Sequence, residues 1–421
     1  MGILLAGKTG QRNDTRAGKL AKFTFLWENW GVDKDILIIG AGPAGLSTAL
    51  HLAQLAPELA RRTLVLEKAH HPRPKLCAGG LTPDAEMLLQ RLGLDVSEIP
   101  HVDAGAVHFD FAGKGLVVKI PKAPTLRIIR RDEFDAWLAG KAREQGIEIR
   151  EGITVSAVRP DAAGVTVITD QGEFRAQVVV GADGSNGITR RCVLPGAQLH
   201  TARALEVITP TLPSPNFGEI GGGSGRGRVG VAFFDLFPVP EGIAGYTWNF
   251  PTQDRGQPMR CWGIYDMNLF ANEKRPPLKE LLAQEMMRGG FALDEAELRA
   301  HPLRWFAPGN AFSVPRVLLA GDAAGADGLL GEGISMALGY GQVAAEAIRA
   351  AFGKDDFSFR DYRKRILRSP LGQTLTARWV FGHIVYTLRW RWFQSLLWRG
   401  LKPVVIALAW LFVLNWGKRM H

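Results

Sequence analysis

Cysteine is scarce in this chain, three in 421 residues, and neither a C-x-x-C pair nor an H-E-x-x-H run appears. That excludes a disulfide framework and any metal site of familiar ligand spacing, and it favours a reducing compartment. Acidic residues stop at Asp361: no Asp or Glu follows it. Long apolar runs are missing too, since the run at 403–414 holds 12 residues, short of the roughly 18 to 20 that cross a bilayer as a helix. The first residues contain no apolar stretch of signal-peptide length, so secretion is not expected. Internal repeats and low-complexity segments are absent. With 46% hydrophobic and 22% charged residues, the composition is that of a folded protein, and the length suggests two to three domains.

What is present after Asp361 is positive charge. Eleven Lys and Arg follow it, while the rest of the chain holds 40 Lys and Arg against 41 Asp and Glu, so the net charge of +10 belongs to the tail. The same segment carries Trp379, Trp390, Trp392, Trp398, Trp410 and Trp416, half of the 12 tryptophans. Amphipathic rings beside arginines suit a membrane interface, where the ring lies at headgroup depth and the cation meets anionic lipid. The expectation is a cytoplasmic protein, peripheral to the inner face of a membrane, with 353–421 as a helical membrane-associating tail. The alternative is a C-terminal helix packed on the same chain. A nucleic-acid partner is not expected, because an exposed Val/Ile/Leu/Phe run has no use on a phosphate backbone. Leu20, Phe23, Trp27 and Trp30 recur at helical spacing in an N-terminal extension (1–34), with Arg16, Lys19 and Lys22 nearby.

The most informative motif opens at residue 36. Ile36-Leu37-Ile38-Ile39 reads as a strand, Gly40-Ala41-Gly42-Pro43-Ala44-Gly45 as a glycine turn, and a Leu/Ala-rich helix follows. In a dinucleotide cradle Gly40 permits the tight turn, Gly42 lets the backbone approach a pyrophosphate, and Gly45 lets helix pack on strand. Leu64-Val65-Leu66-Glu67 is the next strand, with Glu67 lying 22 residues beyond Gly45 and Lys68 after it. An acid at that spacing accepts from a ribose hydroxyl. Two further strands end in glycine and aspartate: Ala176 to Val180 runs into Gly181-Ala182-Asp183-Gly184-Ser185, and Val317 to Ala320 into Gly321-Asp322. Both carboxylates are thereby expected at the carboxyl edge of a sheet, where ligands of α/β folds bind. Residues 201–310 read as an inserted antiparallel sheet interrupted by a helix over 278–299, and a long helix starts near Gly333.

Together these residues resemble the FAD-dependent oxidoreductases of the aromatic-hydroxylase superfamily, and within it the geranylgeranyl reductase family, over roughly residues 35–350. The resemblance implies an α/β Rossmann-like FAD-binding domain (35–200 and 311–352, with a small sheet insert) and an inserted α+β substrate domain (201–310). By resemblance, Asp183 belongs to the D-G motif, Asp322 with Gly321 holds the ribitol chain, and Gly331-Glu332-Gly333-Ile334 lies at the flavin edge. Arg131, in R-x-x-F-D-x-W-L, is implied near the cofactor phosphates. Pro72-Arg73-Pro74-Lys75-Leu76-Cys77-Ala78-Gly79-Gly80-Leu81 is similar to the family's cysteine-glycine loop beside the isoalloxazine, with Ala78 in place of a usual glycine. Tyr246-Thr247-Trp248-Asn249-Phe250-Pro251 resembles the strand lining a prenyl pocket, with Tyr246, Trp248 and Phe250 as its rings.

The activity so implied is saturation of C=C bonds in a prenyl chain on a lipid, quinone or chlorophyll-type precursor. Cys77 and Tyr246 are candidate proton donors, Glu332 an acidic alternative, and Lys75 and Arg73 candidates for a substrate diphosphate or a nicotinamide phosphate. No second G-x-G-x-x-G opens another βαβ unit, so NADPH or NADH would dock transiently, or reduced ferredoxin or a similar small carrier protein would bring electrons. Competing readings are a flavin monooxygenase or halogenase, and a non-catalytic prenyl-binding carrier on the same fold.

Overall fold

Two sheets share the chain in the computed structural model, which describes residues 33–197, 200–211, 229–294 and 297–420. The amphipathic pattern expected at residues 20–30 and the glycine-rich turn at 221–228 lie outside the described residues. The first sheet has eight strands, with Asp33–Ile39 at its centre, parallel to Gly172–Gly181 on one side and to Thr63–Glu67 on the other. Ile36, Leu37 and Ile38 are fully buried, as strands covered on both faces must be, and each such side chain contributes about 1.5 to 3 kcal/mol by leaving water.

Register brings the chemistry to one edge. Ile39 pairs with both Gly181 and Leu66, and Gly181 pairs with Leu319. Glu67, Asp183 and Asp322 therefore emerge side by side at the carboxyl ends. The helix Pro43–Leu55 begins at the glycine turn with Pro43 at its first position, where no amide hydrogen is needed. It packs beneath the helix Ile334–Lys354, and Ser47 Oγ donates to Leu338 O across the contact at 2.8 Å.

The second sheet, of nine strands, is antiparallel apart from one pair. It corrects the expected domain boundary. Its strands come from 201–304 but also from Gly80–Leu81, His101–Phe111, Lys114–Val118 and Leu126–Ile129, and Val229–Asp235 pairs in parallel with His101–Phe111. The sheet thus carries both the end of the cysteine loop, at Gly80–Leu81, and the aromatic strand Gly245–Asp254, with three strands between them. The helix expected over 278–299 stops at Arg288, where Gly289 and Gly290 break it, and Arg299–Arg304 instead pairs as an edge strand.

The tail divides between the two alternatives. The helix Pro370–Thr387 and the last turn pack on the core, with Leu371, Trp416 and Met420 at 0–3% exposure. Between them Trp390, Trp392, Val404, Leu411 and Phe412 lie at 46–65% exposure. Among the described residues no single helix is long and apolar enough to cross a membrane; Arg391–Gly400 and Lys402–Arg419, bent by 78°, pass that test only as a pair. Part of the tail's charge is engaged by the protein itself, because Arg389 pairs with Glu273 at 2.7 Å and Arg391 with Glu241.

Candidate functional site

The glycine turn shows why the motif takes its form. Gly40 has φ +105°, and a Cβ there would stand 2.5 Å from Ala182 O; one on Gly45 would stand 2.0 Å from Gly40 O. Neither position accepts a side chain. Gly42 caps the helix Pro43–Leu55, whose first turn has no side-chain cap and no acid. Its leading amides are left for an anion, and the helix dipole favours one there. Ala44 touches the second motif, since a Cβ on Gly321 would meet the Ala44 methyl at 2.7 Å.

Glu67 is 4% exposed and accepts from the Ala41 amide at 2.9 Å and the Ala69 amide at 3.1 Å. Lys68 beside it faces solvent. Asp183 uses Oδ2 to accept from the Thr189 amide and hydroxyl at 2.8 and 2.9 Å, while its buried Oδ1 has no partner. Burial pushes its carboxyl pKa up. Asp322 receives the Ser185 hydroxyl at 3.4 Å and lies near Gly333, where the helix Ile334–Lys354 begins. Ile334 is 3% exposed at that start. An unmatched carboxylate oxygen and three acids on one sheet edge are the acceptors, and the uncapped helix amides the donors, that a hydroxyl-rich, pyrophosphate-bearing cofactor requires. FAD fits them.

The cysteine loop lies across this edge. Cys77 is partly buried and its Sγ accepts from the Gly79 amide at 3.4 Å. Burial pushes the thiol pKa up, and the nearby Arg131 only partly offsets this, so the group carries its proton at neutral pH. The Gly79 carbonyl accepts from the Ile129 amide of strand Leu126–Ile129 at 3.0 Å, and Ala78 packs against the second-sheet core. Arg131 forks onto Asp135 at 2.8 and 2.9 Å, and Arg73 reaches Asp135 and Glu67, each at 3.4 Å. Arg73 thus sits beside Glu67 and the glycine turn, its Nη2 3.6 Å from where a Cβ on Gly42 would stand. Lys75 Nζ lies 2.8 Å from His301 Nε2, and burial lowers the pKa of both, to about 4 for the histidine.

Two candidate proton donors are corrected. Tyr246 gives its hydroxyl hydrogen to Leu330 O, and burial raises its pKa, so it serves as a strut and a wall. Tyr265 and Tyr386 do the same to Gly328 O and Leu329 O. Burial would by itself raise the pKa of Glu332, but Arg378, Ser335 and Thr82 hold the carboxyl below its ordinary value. It is ionised and has no proton to give.

The expected pocket strand places Tyr246, Trp248 and Phe250 on one face, each 5–6% exposed. Phe234 lies between Tyr246 and Phe250 at 5.1 and 5.0 Å, and stacks on Phe109 at 4.8 Å. Phe109 in turn meets the tail's Trp398, and the Phe250 ring lies 3.5 Å from where a Cβ on Gly80 would stand. A row of packed aromatic rings therefore runs from the tail's buried Trp398 to the cysteine loop.

Glu206 escaped the sequence reading. It is 5% exposed on strand Thr201–Pro210, on the same inward face as Ala202 and Ala204, and it accepts from the Cys77 amide and the Cys261 thiol. Burial lifts its pKa to about 7. An acid at an inward position of an alternating strand was the available signal. Asp135 was also passed over, although its i, i+4 spacing from Arg131 on a helix announces the pair.

A parallel sheet whose central strand ends in the glycine turn, with Glu67, Asp183 and Asp322 at the ends of strands around it, fits a flavoprotein oxidoreductase. Residues 33–216 match the FAD binding domain family. The chain is 30% identical over 352 residues to the menaquinone reductase of Mycolicibacterium smegmatis, spanning 77% of this chain and 78% of that one. It is 29% identical over 362 residues to an uncharacterised protein of Methanosarcina barkeri, covering 83% and 84%. The chain belongs to the family of FAD-dependent oxidoreductases that includes this menaquinone reductase, and the resemblance read from its motifs holds. Among solved structures, a geranylgeranyl bacteriochlorophyll reductase-like protein of Thermoplasma acidophilum superposes with a TM-score of 0.69 at 20% identity, covering 91% of this chain and 94% of that one. The flavin-dependent brominase Bmp2 gives 0.67 at 20% identity, covering 93% and 95%. These two share the fold.

Proposed function

We propose that the protein is a membrane-docked reductase that saturates C=C bonds in the prenyl chain of a lipid or quinone. The carrying observation is the row of rings from Trp398 through Phe109, Phe234 and Phe250 to the cysteine loop. A polyprenyl chain dissolved in lipid needs an apolar route to a buried reaction centre, and a row of rings beginning at the buried Trp398, in the tail segment that also carries the exposed Trp390 and Trp392, would line one. The relative named for menaquinone supports a substrate of this kind, since menaquinone carries a polyprenyl chain.

When bound, reduced FAD supplies a hydride. The chain's own residues do the rest. Glu67, Asp183 and Asp322 would accept from hydroxyls of the cofactor, and the helix that begins at Gly333 would offer its positive end to the flavin. Cys77 would hold a proton on the loop beside the flavin, and Glu206, raised by burial to about 7, would hold or release a second one within the same buried cluster. The aromatic wall excludes water.

Exposed Trp390, Trp392, Leu411 and Phe412, with Lys402 and Arg399 along the same segment, support docking on anionic lipid. Electrons would come from NADPH, NADH or reduced ferredoxin. The test is anaerobic incubation of the chemically reduced protein with geranylgeranyl lipids, scored by mass spectrometry. Products heavier by a pair of hydrogens per bond support the reading; unchanged substrate, with hydroxylated or halogenated product only when oxygen is admitted, contradicts it.

A further inference from the structure

We infer that Arg378, on the tail helix Pro370–Thr387, is a positioning residue of the flavin site, and that it links the lipid-facing turn of the tail to the turn at the flavin edge. Its side chain is 1% exposed. Nη1 lies 2.8 Å from Asp327 Oδ2 and 2.5 Å from Glu332 Oε2, and Nη2 donates to Val413 O at 2.9 Å. One guanidinium thus holds two buried carboxylates and a main-chain carbonyl.

Both carboxylates belong to the segment that forms the flavin edge. Asp327 accepts from the amides of Leu329 and Leu330 at 2.7 and 3.0 Å, and the carbonyls of 328, 329 and 330 are each held by a tyrosine hydroxyl. Glu332 stands between Gly331 (φ +65°) and Gly333, the cap of the helix Ile334–Lys354, and it accepts from Thr82 Oγ1 at 2.8 Å and from Ser335 Oγ. A buried carboxylate that loses its cation either takes a proton or draws in water. Either response moves the turn Gly331–Gly333, which the proposed cofactor site would set at the flavin edge. Arg378 therefore acts on the cofactor through Glu332.

The third contact leads outward. Val413 ends the turn Ala409–Val413, which carries the exposed Trp410, Leu411 and Phe412, and Thr374 Oγ1 donates to Phe412 O at 3.0 Å. Seating those three side chains in lipid acts on carbonyls that Arg378 and Thr374 hold. This second link rests on the membrane docking proposed above, and coupling of this kind is reciprocal: bound cofactor and bound lipid each change the affinity for the other.

The experiment compares the FAD-loaded wild type with Arg378→Met, Arg378→Lys and the double variant Arg378→Met/Glu332→Gln, reading FAD affinity and the visible circular dichroism of bound flavin against pH. Arg378→Met is expected to weaken FAD by about tenfold, with an affinity that now varies with pH as the unpaired Glu332 titrates. The double variant, in which Asp327 still lacks its cation and Asp84 still titrates nearby, is expected to recover part of the affinity and to vary less with pH than the single one. Should Arg378→Met fail to fold, Arg378→Lys is expected to show the same pH dependence in smaller measure. Wild-type affinity and dichroism in Arg378→Lys and Arg378→Met, or a double variant no better than the single one, overturns the positioning role. In a second arm, phosphatidylglycerol–phosphatidylcholine vesicles are added. The wild type is expected to sediment with them and to change its flavin dichroism, and Thr374→Val to sediment with a smaller change. Sedimentation without any dichroism change overturns the link alone, whereas failure to sediment overturns the membrane reading and the link with it, and the FAD arm is decided separately.

Discussion

Trp398 of the tail stacks on Phe109 of the second sheet, ring centroids 6.1 Å apart and planes 15° from parallel. The contact joins a segment whose neighbours face solvent to the row of rings that ends at the cysteine loop. An aromatic pair of this kind is worth about 1 kcal/mol beyond its buried area. Replacing Trp398→Leu is expected to raise KM for a geranylgeranyl substrate about fivefold by that measure, with less effect on a short prenyl alcohol and none on FAD content. Equal effects on long and short chains would remove Trp398 from the route.

Cys77 and Tyr246 were both candidates for the proton, and the structure separates them. Tyr246→Phe loses only the bond to Leu330 O, so reduction is expected to continue while stability falls by about 1 kcal/mol in thermal unfolding. Cys77→Ser keeps the loop's shape but removes the thiol, and is expected to retain flavin while slowing reduction. A serine variant that turns over at the wild-type rate would exclude the cysteine.

Asp322→Ala is expected to lose flavin, because it removes an acceptor at the carboxyl edge that no neighbour replaces; Asp322 receives the Ser185 hydroxyl and stands beside Gly333. The check is the visible absorbance of the purified variant before and after FAD is added. Full flavin content would show that Glu67 and Asp183 suffice.

The fold was legible where local chemistry determines it. Gly40 to Glu67 carries a strand period, a glycine turn and an acid at fixed spacing, and each of the strands ending at Gly181 and Ala320 is followed by an aspartate that cannot be buried within a sheet. The second sheet was not, because Val229–Asp235 pairs with His101–Phe111 across more than a hundred residues, a contact that neither strand's own pattern announces. The same distance hid Arg378. A lone arginine in an apolar helix reads as part of a basic tail, and only tertiary packing shows it between Asp327 and Glu332. Glu206 was hidden by its alternating neighbours, which gave its face but not its partners.

Glu206 also sets a pH dependence. Its pKa of about 7 in the folded protein stands above the ordinary 4.5, so the native state binds the proton more tightly than the unfolded chain. Its contribution to stability is complete below pH 4.5 and is lost as pH rises through about 7, a span worth up to about 3 kcal/mol. Glu206→Gln is expected to be unfavourable or neutral near pH 5 and to gain on the wild type by pH 8, read as the difference in thermal midpoint at the two values. A difference that does not change with pH would mean that the acid is not held protonated.

The most direct measurement follows the flavin spectrum of the chemically reduced protein in the absence of oxygen, after addition of a geranylgeranyl lipid or its fully saturated counterpart. The account predicts that the oxidised flavin bands return with the unsaturated lipid, in proportion to the bonds reduced, and stay absent with the saturated one. A spectrum that remains reduced with both lipids, and recovers only when oxygen enters, would contradict it.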